Sequence, residues 1–259
     1  MQERKKRNIL YLLVCALIRL FYRTPRFEGA ENLPDEPCVL VGNHTQMNGP
    51  IIGELYFPGK PFIWCAGQMM HLKEVPHYAY TDFWSFKPRW CRPWYKLLAY
   101  LITPLSLLLF NNARTIAVYH DSRLITTFRR SIERLQEGHS ILIFPEKNKR
   151  WNNVLYDFQD KFIDLARFYY RRSGKILSFV PVYNAPALHE TLIGKPIPFD
   201  PSRPIEEERA RLCAALKDAI TALAASLPEH TVVPYRNIPK RLYPKNKPVE
   251  VFCDEETSR

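Results

Sequence analysis

Nothing in this sequence repeats, no low-complexity tract interrupts it, and no glycine-rich linker divides it, since glycine supplies only 9 of 259 residues. A chain of this length without linkers reads as one domain with a core of ordinary size. Zinc-finger, basic-zipper and RNA-binding signatures are also missing, which ranks nucleic acid below other anionic partners. The six cysteines, at 15, 38, 65, 91, 213 and 253, form no C-x-x-C pair and share no interval. They read as free thiols of a reducing compartment, with Cys15, Cys38 and Cys65 set in apolar stretches as small hydrophobes. Finally, no apolar run reaches the ~20 residues of a spanning helix.

What is present is positive charge and grease. Lys and Arg number 37 against 26 Asp and Glu, a formal net charge of +11, and 46% of the residues are hydrophobic. That apolar content excludes a disordered chain, and the charge favours a lipid surface or a phosphorylated substrate. At the N-terminus Arg4, Lys5, Lys6 and Arg7 precede an apolar run over 9–18, followed by Arg19, Leu20, Phe21, Tyr22, Arg23 and Arg26. The run lacks a small-residue cleavage site, so it reads as a helix lying in the membrane interface and held by cations at both ends, rather than as a signal peptide. A second apolar segment runs from Trp94 to Phe110, broken by Pro104 and preceded by Phe83, Trp84, Phe86, Lys87, Arg89, Trp90 and Arg92. This is the mixture found at headgroup level, and the proline predicts a kink or a helix end.

Short apolar runs without alternation predict strands, buried on both faces, at 38–41, 61–64, 115–119, 140–144 and 179–183. Between them Leu124, Ile125, Phe128, Ile132 and Leu135 mark one helix, stopped at Gly138. Phe158, Phe162, Leu165, Ala166 and Tyr169 mark another. Pro204 with Glu206, Glu207 and Glu208 opens a helix continuing through Leu212, Leu216, Ile220 and Leu223. The alternation predicts an α/β fold with a largely parallel buried sheet flanked by helices. Three parts are expected: a basic, apolar interface segment over 1–24, the α/β domain over 25–235, and a basic tail over 236–259 that wraps the surface or frays.

Two strand ends carry the candidate chemistry. Val39-Leu40-Val41-Gly42-Asn43-His44 places an imidazole directly after a buried strand, where it is able to take a proton from a hydroxyl at neutral pH. Ile141-Leu142-Ile143-Phe144-Pro145-Glu146 delivers a carboxylate from another strand, followed by Lys147, Lys149 and Arg150. A carboxylate among cations suits a substrate that bears both a hydroxyl and a phosphate. Either feature alone is more often structural.

Together and in this order they resemble the glycerolipid acyltransferase family, which includes the enzymes that acylate lysophosphatidic acid. That family carries N-H-x4-D, an arginine motif, F-P-E-G-T-R and an apolar V-P motif after successive strands. Asn43-His44, Phe144-Pro145-Glu146 and Val180-Pro181-Val182 match three of these over roughly residues 25 to 200, and Phe158 falls where the family commonly has an aromatic. The resemblance implies His44 as base and Glu146 as the group positioning the acceptor, with Asn43, Arg123, Lys147, Lys149 and Arg150 binding substrate. It also implies acyl-CoA or acyl carrier protein as donor, a lysolipid or glycerol-phosphate acceptor, no metal, and a place on the cytoplasmic face of a membrane. Backbone N–H groups of the 42–49 turn would hold the oxyanion.

The departures are specific. Gly49 stands where the motif has aspartate, which leaves Asn48 to orient the imidazole, or Asp121 or Glu54 to swing in. An amide is able to hold the ring but not to stabilise an imidazolium as a carboxylate does. Lys147-Asn148-Lys149 replaces Gly-Thr-Arg, with Arg150 one step late, and Tyr119-His120-Asp121-Ser122-Arg123 replaces the arginine motif, with Arg123 the candidate cation and His120 a candidate second base. A relative that binds lipid but has lost turnover is the competing expectation.

Overall fold

The computed structural model describes residues 8–85, 87–119 and 121–247. Helix α1 (Ile9–Phe21) comes first, then strands β1 (Arg26–Glu28) and β2 (Val39–Gly42), helix α2 (Asn48–Leu55) and strand β3 (Phe62–Ala66). Helices α3 (Val75–Ala79), α4 (Arg92–Leu101) and α5 (Thr103–Asn112) lead to β4 (Thr115–Val118) and α6 (Leu124–Gln136). Strands β5 (Ile141–Ile143), β6 (Glu146–Arg150) and β7 (Tyr156–Phe158) precede α7 (Asp164–Ser173). Strands β8 (Ser178–Ala185), β9 (Glu190–Ile193) and β10 (Ile197–Pro198) and the long helix α8 (Ile205–Ser226) complete the order. The chain gathers into two compact units, one of residues 1–23 and 62–130 and one of 24–61 and 131–259.

The larger unit carries the order β1-β9-β8-β2-β5, with β10 on β8. Pairings β2/β5, β2/β8 and β1/β9 are parallel, whereas β8/β9 and β8/β10 are antiparallel. The sheet is thus largely parallel, as the uninterrupted apolar runs require. Its centre is dry: Val39, Leu40, Val41, Ile141, Leu142, Ile143, Phe179, Val180 and Val182 are all buried. Helix α8 covers it with Leu212, Leu216 and Ile220, and Pro204 caps its start ahead of the three glutamates.

The smaller unit pairs β3 with β4 in parallel, Ile63 opposite Thr115 through Ala66 opposite Val118. Helix α1 is capped by Asn8, whose side chain accepts from the Leu10 N–H, and buries only Tyr11 and Cys15. Ile9, Leu13, Leu17, Leu20 and Phe21 are exposed. Helices α4 and α5 break at Ile102, with Pro104 in the first turn of α5, as the proline predicts. Among the described residues no single helix is long and apolar enough to cross a membrane; Arg89–Leu101 with Thr103–Asn112, bent by 42°, passes by length and composition. Trp90, at 81% exposure, and Trp94, at 72%, stand out on this pair.

One helix boundary departs from expectation. Phe158 does not open a helix: it ends β7, opposite Glu146, while Phe162 lies in a 3-10 turn and α7 carries Leu165, Ala166 and Tyr169. The C-terminal stretch through Asn246 is also tied down, with Asn246 itself buried. Arg4 to Arg7, Phe86, His120, Cys253 and the remainder of the tail lie outside the described residues. Cys15, Cys38, Cys65, Cys91 and Cys213 are free. Burial pushes the thiols of Cys38 and Cys65 up to about 11 and about 12, so both stay protonated at neutral pH.

Candidate active site

The site begins where β2 leaves the sheet. Asn43 is 2% exposed and exchanges three bonds with Asn184 of β8: Asn43 Nδ2 donates to the Asn184 carbonyl at 3.0 Å, the Asn184 N–H donates to Asn43 Oδ1 at 2.7 Å, and Asn184 Nδ2 donates to the Asn43 carbonyl at 3.2 Å. Through these bonds Asn43 fastens the end of β2 to β8.

His44 follows at the start of a strained turn. Thr45 at φ 47° and Gln46 at φ 56° are left-handed, a conformation that costs a non-glycine residue about 1–2 kcal/mol. Several bonds hold it there. The His44 N–H donates to Glu146 Oε1 at 2.7 Å, the Asn48 N–H and Nδ2 both donate to the Thr45 carbonyl at 3.1 and 2.9 Å, and the Gly49 N–H donates to the His44 carbonyl at 3.3 Å. Gln46 Nε2 donates to the Tyr243 hydroxyl at 2.9 Å.

The half-buried imidazole packs edge-on between Phe144, with ring centroids 5.2 Å apart, and Tyr235, at 5.7 Å. Its Nδ1 is buried and has no hydrogen-bond partner among the described residues. Asn48 does not meet the ring at Nδ1, and its Nδ2 is turned to the Thr45 carbonyl. The seat of the missing aspartate is also closed. A Cβ on Gly49 would meet the His44 carbonyl oxygen at 2.6 Å and Phe144 Cε1 at 2.9 Å. Burial lowers the His44 pKa to about 4, with the Gln46 backbone pulling weakly the other way. The ring is neutral at pH 7.

Glu146 is 3% exposed. One oxygen accepts the His44 N–H, and the other accepts the Tyr156 N–H at 2.8 Å. The carboxylate thus joins β7 to the His44 turn. Burial raises its pKa to about 7, against the opposing pull of the two N–H donors.

The cations divide. Lys147 is spent on Asp157 at 3.0 Å, beside Lys217 at 2.7 Å. Burial opposes ionisation of Asp157, yet the two lysines hold it at about 2. Lys149 is exposed on β6, and Arg150, half-buried, acts on Tyr156. Arg123 belongs to the smaller unit, where its guanidinium donates to both oxygens of Asp121 and reaches Glu74 at 3.5 Å while lying 3.8 Å over the Tyr119 ring. Two carboxylates thus occupy the cation expected to take a phosphate, and Asp121 is occupied by it. The residues that the sequence did not reveal are Phe144 as a wall and Tyr235 and Tyr243 from beyond α8. Those tyrosines sit in a Pro-rich basic stretch with no periodicity to flag them.

No family profile matches the chain, and no curated protein matches it. The crystal structure of the 1-acyl-sn-glycerophosphate (LPA) acyltransferase PlsC from Thermotoga maritima is similar over 88% of this chain and 86% of that one, with 18% sequence identity and a TM-score of 0.47.

Proposed function

We propose that this chain is a membrane-associated O-acyltransferase in which His44 is the base. The observation that carries the reading is a neutral imidazole on a rigid strand end, held in a strained turn by a buried carboxylate. Strain retained beside a titratable group is the mark of a functional turn. With Nδ1 buried, Nε2 is the nitrogen that takes the proton of an acceptor hydroxyl. The hydroxyl oxygen bonds to the carbonyl carbon of an acyl thioester, the intermediate collapses with loss of the thiolate, and the imidazolium returns its proton to that sulfur. The backbone amides of Thr45, Gln46 and Met47 make no hydrogen bond to described residues and are available to the oxyanion. Lys149 and Arg150 meet the phosphate of a lysophosphatidate, glycerol-phosphate or related acceptor, and the donor is acyl-CoA or acyl carrier protein. Exposed apolar residues on α1, α4 and α5 and the charge of +11 suit an anionic lipid surface.

A second reading, lipid binding without turnover, is favoured by the orphaned Nδ1 and the closed seat at Gly49. Without an acid behind it the imidazole lacks a fixed tautomer and a partner for its charged form. Thiol release from an acyl thioester, measured on the purified chain with lysophosphatidate, separates the two. Release that disappears in His44→Ala supports the enzyme; no release above the uncatalysed rate, with lysophosphatidate still bound, leaves only the second reading.

A further inference from the structure

The stretch after α8 closes into a loop. The His230 N–H donates to Asn246 Oδ1 at 2.8 Å, and the Asn246 N–H returns to the His230 carbonyl at 3.2 Å. Buried Asn246 also ties back to the Ala224 carbonyl at 2.8 Å. Inside this clasp Thr231 bridges Lys245 in antiparallel fashion, and the Val232 N–H donates to the Pro244 carbonyl at 2.9 Å. His230 is itself buried, with Nε2 2.8 Å from the Tyr183 hydroxyl and Nδ1 2.8 Å from the Pro228 carbonyl. Both ends of the loop are thus fixed to the body of the larger unit.

What lies between the ends reaches the His44 turn twice. Tyr235 packs edge-on against the imidazole, and Tyr243 accepts from Gln46. Tyr235 also meets Tyr156, with ring centroids 5.8 Å apart. Tyr156 is in turn under the influence of two cations, Arg150 on β6 and Arg236 in the loop. Arg236 is exposed and makes no ion pair among the described residues. Tyr235 thus links the imidazole to Tyr156, and Tyr156 feels a guanidinium from β6 and one from the loop.

We infer that the loop of residues 230–246 is the acceptor-selecting wall of the His44 site, with Tyr235 bounding the imidazole and Arg236 taking the acceptor's phosphate. The inference rests on His44 being the base and adds to it which acceptor is chosen. A flat aromatic wall sets how far an alcohol is able to enter, and it excludes water from the imidazole. An uncommitted guanidinium offers a forked pair of donors that matches a phosphate and has nothing to offer an uncharged headgroup.

The test compares lysophosphatidate with monoacylglycerol as acceptors for wild type, Arg236→Ala and Arg236→Lys. Arg236→Ala is expected to raise KM for lysophosphatidate about 10-fold, the scale of one charge-assisted contact, with kcat within twofold and monoacylglycerol unaffected. Arg236→Lys should restore part of the loss. Equal loss on both acceptors, or none on either, overturns the inference. A readout without turnover separates its failure from that of the base: addition of glycerol 3-phosphate should move the imidazole NMR signals of His44 in wild type and not in Arg236→Ala. If those signals move as expected while no acyl transfer occurs, the wall stands and the base does not. If glycerol 3-phosphate leaves them unmoved in wild type, the wall falls whether or not the chain turns over.

Discussion

At the residue scale the site turns on a glycine and a phenylalanine. The sequence shows that residue 49 is not an acid, but not that the space behind the imidazole is filled, because Phe144 reads as the end of a strand. Gly49→Asp alone should therefore destabilise the protein by about 1–3 kcal/mol, the usual cost of overpacking, whereas adding Phe144→Ala removes the clash with the ring but not that with the His44 carbonyl oxygen, so the pair should recover only part of the loss. In that pair the His44 pKa, followed by NMR, should rise from about 4, since a nearby carboxylate favours the imidazolium. A pKa unmoved in the pair would show that the seat is not the one supposed. Two opposed titrations surround the same bond. His44, lowered from 6.5 to about 4, is protonated first in the unfolded chain, so it makes stability rise with pH between about 4 and 6.5. Glu146, raised from 4.5 to about 7, stays protonated in the fold after the unfolded chain has ionised, so its contribution is full below 4.5 and is lost as pH climbs towards 7. The two offset each other in wild type. Melting temperatures of Glu146→Gln should rise from pH 4 to 6.5, and those of His44→Ala should fall from pH 4.5 to 7; parallel curves for the two variants would contradict both assignments.

Among the elements, those made of unbroken branched apolar residues were legible. The runs at 38–41, 140–144 and 179–183 became β2, β5 and β8, and Pro204 opened α8. The short polar strands were not, because β6 is Glu-Lys-Asn-Lys-Arg and has no apolar signal; it exists because Glu146 draws the Tyr156 N–H alongside it. The same cause moved Phe158 from a helix to β7. Glu146, Asn43 and Lys147 were found by motif, but a motif does not show which hydrogen bonds and ion pairs the fold already makes with them. The loop after α8 was invisible for a related reason: its clasp is a single buried asparagine. Asn246→Ala leaves the His230 N–H without its acceptor, a loss of about 1–3 kcal/mol. Hydrogen exchange should then quicken across 228–246 while β2 and β5 remain protected, and uniform quickening would show that the loop is not a separate element.

For the whole molecule the exposed face of α1 and the charge of +11 lead to one expectation. Leu13 and Leu17 are both exposed, so Leu13→Glu with Leu17→Glu should spare the melting temperature and weaken binding to anionic vesicles by more than tenfold, given about 1.5–3 kcal/mol for each buried leucine. Unchanged vesicle binding would remove α1 from the lipid contact. The base assignment faces a sharper test in the pH dependence of kcat/KM for acyl transfer to lysophosphatidate, measured from pH 3.5 to 8. A neutral imidazole held at about 4 predicts a rise centred near that value, a plateau through pH 8, and no activity in His44→Ala at any pH. A midpoint near 6.5, or a profile that survives the loss of the imidazole, would contradict the account.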